Sequence, residues 1–410
     1  MVFKSNRWFW AGLALILVLT AIPRLLSYDF SLPYIDHPDE PNKYLEALAW
    51  RGLFERHEEG YYRGYPPGYL ILSYIVQVVG APLALEGAGE TIRVMRLLSV
   101  LVNLGTLVFI ALTARLAGEN LAGWVAGAAW GVSPLVLEHG IYAIQDPFVY
   151  FWVSAALWLA AVAILDEKRK HWAIWSVVVG LTAVIFKYSV VAAVIPGGLV
   201  ALVYFARDRR RNWRDLAIQA ALAILVGVWM IPQIRAMQTW QRHAADAMEG
   251  TLQHLFMPER VLNNLYHAIL PLNGVAFLIA TGIGVAAFIH ARRHDLPGTR
   301  WEVVALALVI AITIPWTASV FSEITPNRIK DALPATAAAC TILGAAVMQV
   351  IHIVPRQWSL AASAAIPALL VLGVFVPQAV EDGQLVHDRM LPDRRVAMRL
   401  WADVNLEPGT

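Results

Sequence analysis

The residues best suited to chemistry stand in one short run, Tyr34-Ile-Asp-His-Pro-Asp-Glu-Pro-Asn-Lys-Tyr-Leu-Glu, where Asp36, Asp39 and Glu40 place three carboxylates within five positions. Pro38 and Pro41 stiffen the backbone around the Asp39-Glu40 pair. A carboxylate works as a general base when it is held in place and partly shielded from water, and a membrane surface supplies both conditions. The pair also reads as the acidic first turn of a helix opening near Pro41, a position the helix dipole favours. The two readings coexist, because a carboxylate at a helix start is fixed in orientation.

Other charged residues stand at comparable positions. Asp146, in Gln145-Asp-Pro-Phe, precedes a long apolar run, with Glu138 and His139 in the turn before it; an aspartate before proline is also an ordinary helix start. Lys187 interrupts two apolar stretches, Ala183–Phe186 and Val190–Ile195, so it must snorkel, pair or meet an anion such as a lipid phosphate. Arg328 and Lys330, in Thr325-Pro-Asn-Arg-Ile-Lys-Asp, stand at the end of a later apolar run and suit either a phosphate or plain interfacial anchoring beside Glu323 and Asp331. Arg24, near the end of the first apolar run, is a further candidate cation. Arg63-Gly-Tyr-Pro-Pro-Gly-Tyr contains a rigid entry turn to an apolar helix. His57 and His254 have no metal-ligand spacing around them, and no phosphate-binding glycine loop or nucleophile elbow is present. Asp36 and Asp39 could share a divalent ion, but no resident metal or cofactor is expected.

The elements that position these groups are membrane spans. The chain is 58% hydrophobic, with apolar runs recurring from end to end, and the near-neutral net charge of +2 speaks against nucleic acid as a partner. Cys340 is the one cysteine, so no intramolecular disulfide can form. The first run, from Trp8 to about Leu26, follows Lys4 and Arg7 and lacks a small-residue cleavage site, which predicts a retained span with a cytoplasmic N-terminus. Further spans of ~20 residues are predicted at 94–114, 121–137, 147–165, 172–186, 189–205, 215–234, 268–291, 302–321, 332–353 and 358–376.

Lys168-Arg-Lys, Arg207 with Arg209-Arg-Arg, and Arg292-Arg293 mark the cytoplasmic side by the positive-inside rule. Counting crossings back from Lys168 puts Asp146 outside and requires residues 28–93 to make no net crossing. The apolar stretch 68–80 is therefore predicted to lie along the membrane as a juxtamembrane helix within a long outer first loop. In the same loop, 42–54 is amphipathic, with Tyr44, Leu45, Leu48 and Leu53 set to lie on the membrane and Lys43, Glu46 and Arg51 to face water. The expectation is an all-α polytopic protein of about eleven spans over residues 1–377. A polar outer tail, 378–410, carries Arg389, Arg394, Arg395 and Arg399 and reads as the possible start of a soluble domain.

The ordered series His37-Pro-Asp-Glu-Pro-Asn-Lys-Tyr-Leu-Glu, Tyr65-Pro-Pro-Gly-Tyr-Leu, Arg93-Val-Met-Arg-Leu-Leu-Ser, Gln145-Asp-Pro-Phe, Phe186-Lys-Tyr-Ser and Arg328 ahead of Leu333-Pro-Ala resembles the GT-C superfamily of integral-membrane glycosyltransferases. The protein O-mannosyltransferase-like family 39 and the lipid A aminoarabinose transferases are the nearest in pattern, and the resemblance covers about residues 8–355. It implies a GT-C bundle whose long first outer loop carries the catalytic acid. Asp39 matches the first-loop aspartate, Glu40 its companion and Asp146 the second outer acid. Lys187 and Arg328, with Lys330, would hold the donor's lipid phosphate. Asp36, His37, Tyr65 and Tyr188 would lie toward acceptor and sugar. Where aminoarabinose-type proteins carry lysine before the Pro-Pro pair, this chain has Tyr65, which leaves Arg63 to reach in its place.

The activity implied is inverting transfer of a sugar from a polyprenyl-phosphate donor to a hydroxyl or amine of a lipid, glycan or protein acceptor at the outer face of the membrane. A lipid-linked sugar flippase and a non-catalytic subunit of a glycan-assembly complex are the rivals. The first would more naturally carry mid-membrane charges and symmetric halves, neither of which this sequence displays.

Overall fold

The computed structural model describes residues 7–32, 34–35, 37, 39–52, 66–83, 87–244, 257–294, 299–321, 326–353, 360–391 and scattered positions to 402. Among them the regular structure is helical throughout. Helix α1 (Arg7–Ser27) is the first span. It turns Leu15, Val18, Leu19, Ile22, Leu25 and Leu26 outward, while Phe9, Leu13, Thr20, Arg24 and Ser27 face inward. That distribution suits lipid, which attracts leucine as well as a protein interior does and leaves small and polar residues to knit helices together.

Two short helices follow in the first loop, α2 (Asp39–Trp50) and α3 (Pro67–Gly80). At 1.5 Å per residue the 14-residue α3 is about 21 Å long, short of the ~30 Å hydrocarbon core, in keeping with the juxtamembrane expectation. Its Ile71, Ile75, Val78 and Val79 are exposed, whereas Gln77 is buried and donates to the Tyr44 carbonyl (3.1 Å), tying α3 to α2.

Helix α4 (Ala88–Gly131) is a hairpin of two helices, broken where Gly118 and Glu119 leave helical geometry. The break falls at the expected turn between the second and third spans. Beyond it the small residues Gly123, Gly127 and Gly131 face back onto Ala111 and Leu107 of the first arm. The expected span 121–137 is cut short at Gly131. Pro134, which has no N–H to continue a helix, starts the separate seven-residue α5 (Pro134–Gly140).

Helices α6 (Asp146–Leu165) and α7 (Trp172–Phe186) follow as expected. A 3-10 turn, Tyr188–Val194, leads into α8 (Ile195–Arg207) and then α9 (Arg209–Ala244). The expected span 268–291 appears as α11 (Gly274–Arg293), starting later because Pro271 forms a 3-10 turn and Asn273 adopts a left-handed conformation (φ 53°), which separates it from the preceding α10 (Pro258–Ile269). Helices α12 (Trp301–Phe321), α13 (Leu333–Ile353) and α14 (Leu360–Met390) complete the bundle, α14 running on past residue 377.

Among the described residues seven helices are long and apolar enough to cross a membrane. Counting α4 twice and adding α7, α9 and α14 brings the bundle to about the eleven expected. Helix α13 is the axis of the core. It is almost wholly buried and rich in alanine, and a Cβ on Gly344 would lie 2.3 Å from the Ala122 carbonyl oxygen of α4. This close backbone approach holds the hairpin against α13 and so fixes the ends from which the charged residues project.

One expectation fails in the first loop. Lys43 and Glu46, read as water-facing, are 4% and 3% exposed. Helix α2 turns its charged face inward because that face meets counter-charges from other parts of the chain.

Gly123→Ala tests the close packing of the hairpin, since the added Cβ would lie 2.6 Å from the Ala111 carbonyl oxygen, whereas at Gly198 it would meet nothing within 4 Å. Gly123→Ala is expected to cost about 1–3 kcal/mol and to lower the thermal unfolding midpoint in detergent, with Gly198→Ala near wild type.

Candidate functional site

The site begins with how α2 is anchored. Asp39 is its first residue, where the positive end of the helix dipole favours a carboxylate, and its N–H donates to His37 Nδ1 (3.2 Å). Glu40 turns the other way, into the protein. Its carboxylate accepts Arg96 Nε (2.8 Å) and Nη2 (2.7 Å) in a two-pronged ion pair, plus the Ala143 N–H (2.6 Å). Arg96 Nη1 donates to the carbonyls of Tyr28 (3.1 Å) and Phe30 (2.5 Å). Both side chains are 0% exposed. Glu40, expected as a catalytic companion to Asp39, is bonded to Arg96 and Ala143 and sealed from solvent, where it fixes α2.

Asp39 Oδ2 accepts from Lys330 Nζ at 2.6 Å. Lys330 projects from the 3-10 turn Pro326–Asp331 ahead of α13, and its carbonyl accepts from the Tyr150 hydroxyl (3.2 Å). The next residue, Asp331, joins Asp146 in clasping the ammonium of Lys187. Asp146 opens α6, and Lys187 occupies an extended residue (φ −158°, ψ 117°) just past α7. A single turn therefore sends a cation to α2 and a carboxylate to Lys187, and joins the two ion-pair groups.

Lys43, one helical turn beyond Asp39, adds a buried cation within the fields of Asp39, Asp146, Lys330 and Glu46. Asp39, Asp146 and Asp331 so face Lys43, Lys187 and Lys330, three charges of each sign. Side-chain exposure separates the acids: 31% for Asp39, 15% for Asp331 and 1% for Asp146. Asp39 is the carboxylate a substrate can reach most readily.

Burial works to raise the Asp39 pKa, but the charge and hydrogen bond of Lys330, with His37 and Lys43, outweigh it and hold the acid below the usual carboxylate range. Burial and the charge of Lys330 push His37 down, so its imidazole is neutral at pH 7 and keeps its proton on Nε2 while Nδ1 accepts from Asp39. Its ring lies 4.5 Å from that of Tyr142. Burial lowers His139 to about 4 and Lys43 to about 8.

Among the other expected site residues, Asp36, Arg63 and Tyr65 lie outside the described residues, as does the side chain of Arg328. Tyr188 is not brought to the acids; it packs with Val184 and Val226, its ring 6.4 Å from that of Trp229. Arg24 is not a surface cation. It is 0% exposed between α1 and α4, donating to Asn103 Oδ1 (3.0 Å) and to the carbonyls of Thr20 (3.0 Å) and Gly131 (3.2 Å). Among the described residues no group of three or more His, Cys, Asp or Glu is placed to hold a metal ion.

Sequence reasoning gave no site role to Arg96, Asp331 or Lys43. For Arg96 the available signal was a cation at the edge of an apolar run, which must find a counter-charge when buried.

A family model described as dolichyl-phosphate-mannose-protein mannosyltransferase matches residues 77–232. No curated protein matches the sequence. Among solved structures, the archaeal oligosaccharyltransferase AglB from Archaeoglobus fulgidus, in complex with an inhibitory peptide and a dolichol-phosphate, superposes with a TM-score of 0.58 at 12% identity, covering 98% of this chain and 58% of that one. The apo form of the Archaeoglobus fulgidus enzyme gives 0.60 at 13% identity, covering 100% and 59%. ArnT from Cupriavidus metallidurans bound to undecaprenyl phosphate gives 0.51 at 17% identity, covering 94% and 76%. The chain thus spans a little under three fifths of the oligosaccharyltransferase. At identities of 12% to 17% the likeness is one of fold, that of a polytopic helical membrane bundle.

Removing one partner of a buried ion pair leaves the other charge stranded. Glu40→Ala is therefore expected to destabilise the protein by about 3–5 kcal/mol. Arg93→Ala, which breaks the exposed Arg93–Asp29 pair, should cost at most about 1 kcal/mol. Chemical or thermal unfolding of both variants in detergent checks the contrast.

Proposed function

We propose that this protein is an inverting glycosyltransferase that moves a sugar from a polyprenyl-phosphate donor to a hydroxyl or amine acceptor at the outer face of the membrane. The observation that supports it most is the meeting of Asp39 and Lys330 (2.6 Å), a reachable carboxylate and a lysine from opposite ends of the chain, beside the Asp146–Lys187–Asp331 group. A carboxylate next to a cation suits a reaction that must take up a proton at one atom and stabilise a phosphate at another. The outer placement rests on the distribution of basic clusters between spans.

In this reading the donor's phosphodiester competes with Asp39 for Lys330. As Lys330 turns to the phosphate, Asp39 loses its counter-charge and becomes a stronger base, which then accepts the proton of the attacking hydroxyl or amine. The acceptor oxygen or nitrogen bonds to the anomeric carbon from the face opposite the leaving group. The bond from that carbon to the phosphate oxygen breaks, and its electron pair leaves with the polyprenyl phosphate, whose charge grows by one. Lys330 and Lys43 stabilise this growing charge in a partly dehydrated site. Lys187, held by two carboxylates, keeps the Lys330 turn in place. Asp146, almost fully buried, is a positioning residue for Lys187.

A general base contributes about 10²–10⁴-fold to rate, so Asp39→Asn is expected to lower sugar transfer from a polyprenyl-phosphate donor by that factor while leaving the unfolding midpoint near wild type. Transfer within tenfold of wild type would remove the reading, and donor movement between leaflets without a new glycosidic bond would favour a transporter.

The alkaline side of the pH profile gives a second test. Lys43 loses its proton near pH 8 in the free protein, so kcat/KM should fall as pH rises through that value. Lys43→Arg, which stays charged, should move the fall to higher pH; an unchanged limb would exclude Lys43 from phosphate stabilisation.

A further inference from the structure

One buried charge plays no part in the reaction just described. Arg389, near the end of α14, is 7% exposed and makes no ion pair among the described residues. Its Nη2 donates to the Tyr142 hydroxyl (3.3 Å), and its guanidinium lies 5.6 Å from the Tyr142 ring and 5.3 Å from the Phe30 ring. Its Nη1 is buried without a hydrogen-bond partner. Asp382, two turns earlier on the same helix, feels its charge but does not bond to it. A guanidinium taken from water with no carboxylate bonded to it among the described residues is costly, and an arriving anion would offset that cost.

A second orphan stands close by. His139 is 9% exposed, its Nδ1 has no partner, and its ring lies 6.5 Å from Tyr142. The nearby Arg96 is already bonded to Glu40, whereas Arg389 bonds to no carboxylate among the described residues. The location is also specific. Tyr142 touches His37, and His37 accepts from the Asp39 N–H, so Arg389 is two rings away from the reachable acid. Of the lysines assigned to the donor phosphate, Lys330 bonds to Asp39 and Lys43 acts on it through its charge.

We infer that Arg389 and His139, set around Tyr142, form an oxyanion subsite that seats a phosphate or carboxylate carried by the acceptor, so that the acceptor's nucleophile is presented to Asp39. A guanidinium fork and a neighbouring imidazole N–H provide the in-plane donors that such a group needs. This rests on the glycosyltransferase reading for the identity of the ligand as acceptor, though not for the existence of the anion site.

The test is direct binding to the purified full chain. Inorganic phosphate and acetate are titrated by calorimetry in detergent, and phosphatidic acid is titrated in nanodiscs of phosphatidylcholine. Saturable binding of at least one probe is expected, with affinity falling about tenfold or more in Arg389→Gln and holding within about threefold in Arg93→Gln, at an exposed ion pair outside the site. Binding to the bilayer lipid alone assigns the anion to a lipid headgroup; binding of the soluble ions assigns it to a water-soluble or peptide acceptor. Unchanged binding in Arg389→Gln, no binding of any probe, or a loss that follows Arg93→Gln instead would overturn the proposal. His139→Gln carries the same expectation should Arg389→Gln not fold. Running the titration also on Asp39→Asn separates the two readings: intact anion binding in a protein that transfers no sugar, mutated or not, sinks the enzyme and keeps the subsite.

Discussion

The ion pair between Glu40 and Arg96 carries the rest of the site. It is sealed from solvent, and it reaches four separate stretches of chain: helix α2, helix α4, the carbonyls of Tyr28 and Phe30, and the N–H of Ala143. Two charges out of water are unstable unless their remaining hydrogen-bond capacity is filled, and here both carboxylate oxygens and all three guanidinium nitrogens are engaged. The consequence is mechanical. A polar loop beside a membrane would otherwise be mobile, and this pair makes its first helix a fixed wall from which Asp39 projects at a defined angle.

On that wall the remaining charges form a neutral chain of contacts. Lys330 and Asp331 are consecutive, yet one meets Asp39 and the other Lys187. In a low-dielectric setting a balanced set of alternating charges is tolerated where a surplus of either sign is not. The same balance makes the site responsive, because an anion that binds Lys330 or Lys187 must displace a carboxylate from it. Asp39 is the most exposed of the three acids and therefore the first to be displaced. The membrane helices serve this arrangement by their closeness. Small residues let α4 and α13 approach backbone to backbone, which sets the positions of the turns at their ends.

Much of the architecture was legible in the residues. Spans follow from apolar length, and the hairpin break at Gly118-Glu119 and the shortness of α3 were both anticipated. Prolines shifted the boundaries that were misread: Pro134 separates α5 from the hairpin, and Pro271 with Asn273 separates α10 from α11. Amphipathic periodicity was a poor guide for α2, since it assumes that charges seek water. Lys43 and Glu46 are instead buried on a face crowded with ionised groups.

What the sequence determined by itself is the list of groups able to do chemistry and the kind of medium they sit in, because hydrophobicity, charge type and proline stiffness are properties of residues. What only the tertiary structure decided is which charge meets which. Asp39 and Lys330 are 291 residues apart, Lys187 and Asp331 are 144 apart, and Glu40 finds Arg96 across 56. Pairing depends on distance and burial, and both arise when the helices pack, so the same motif yields a reachable acid at position 39 and a sealed structural one at position 40.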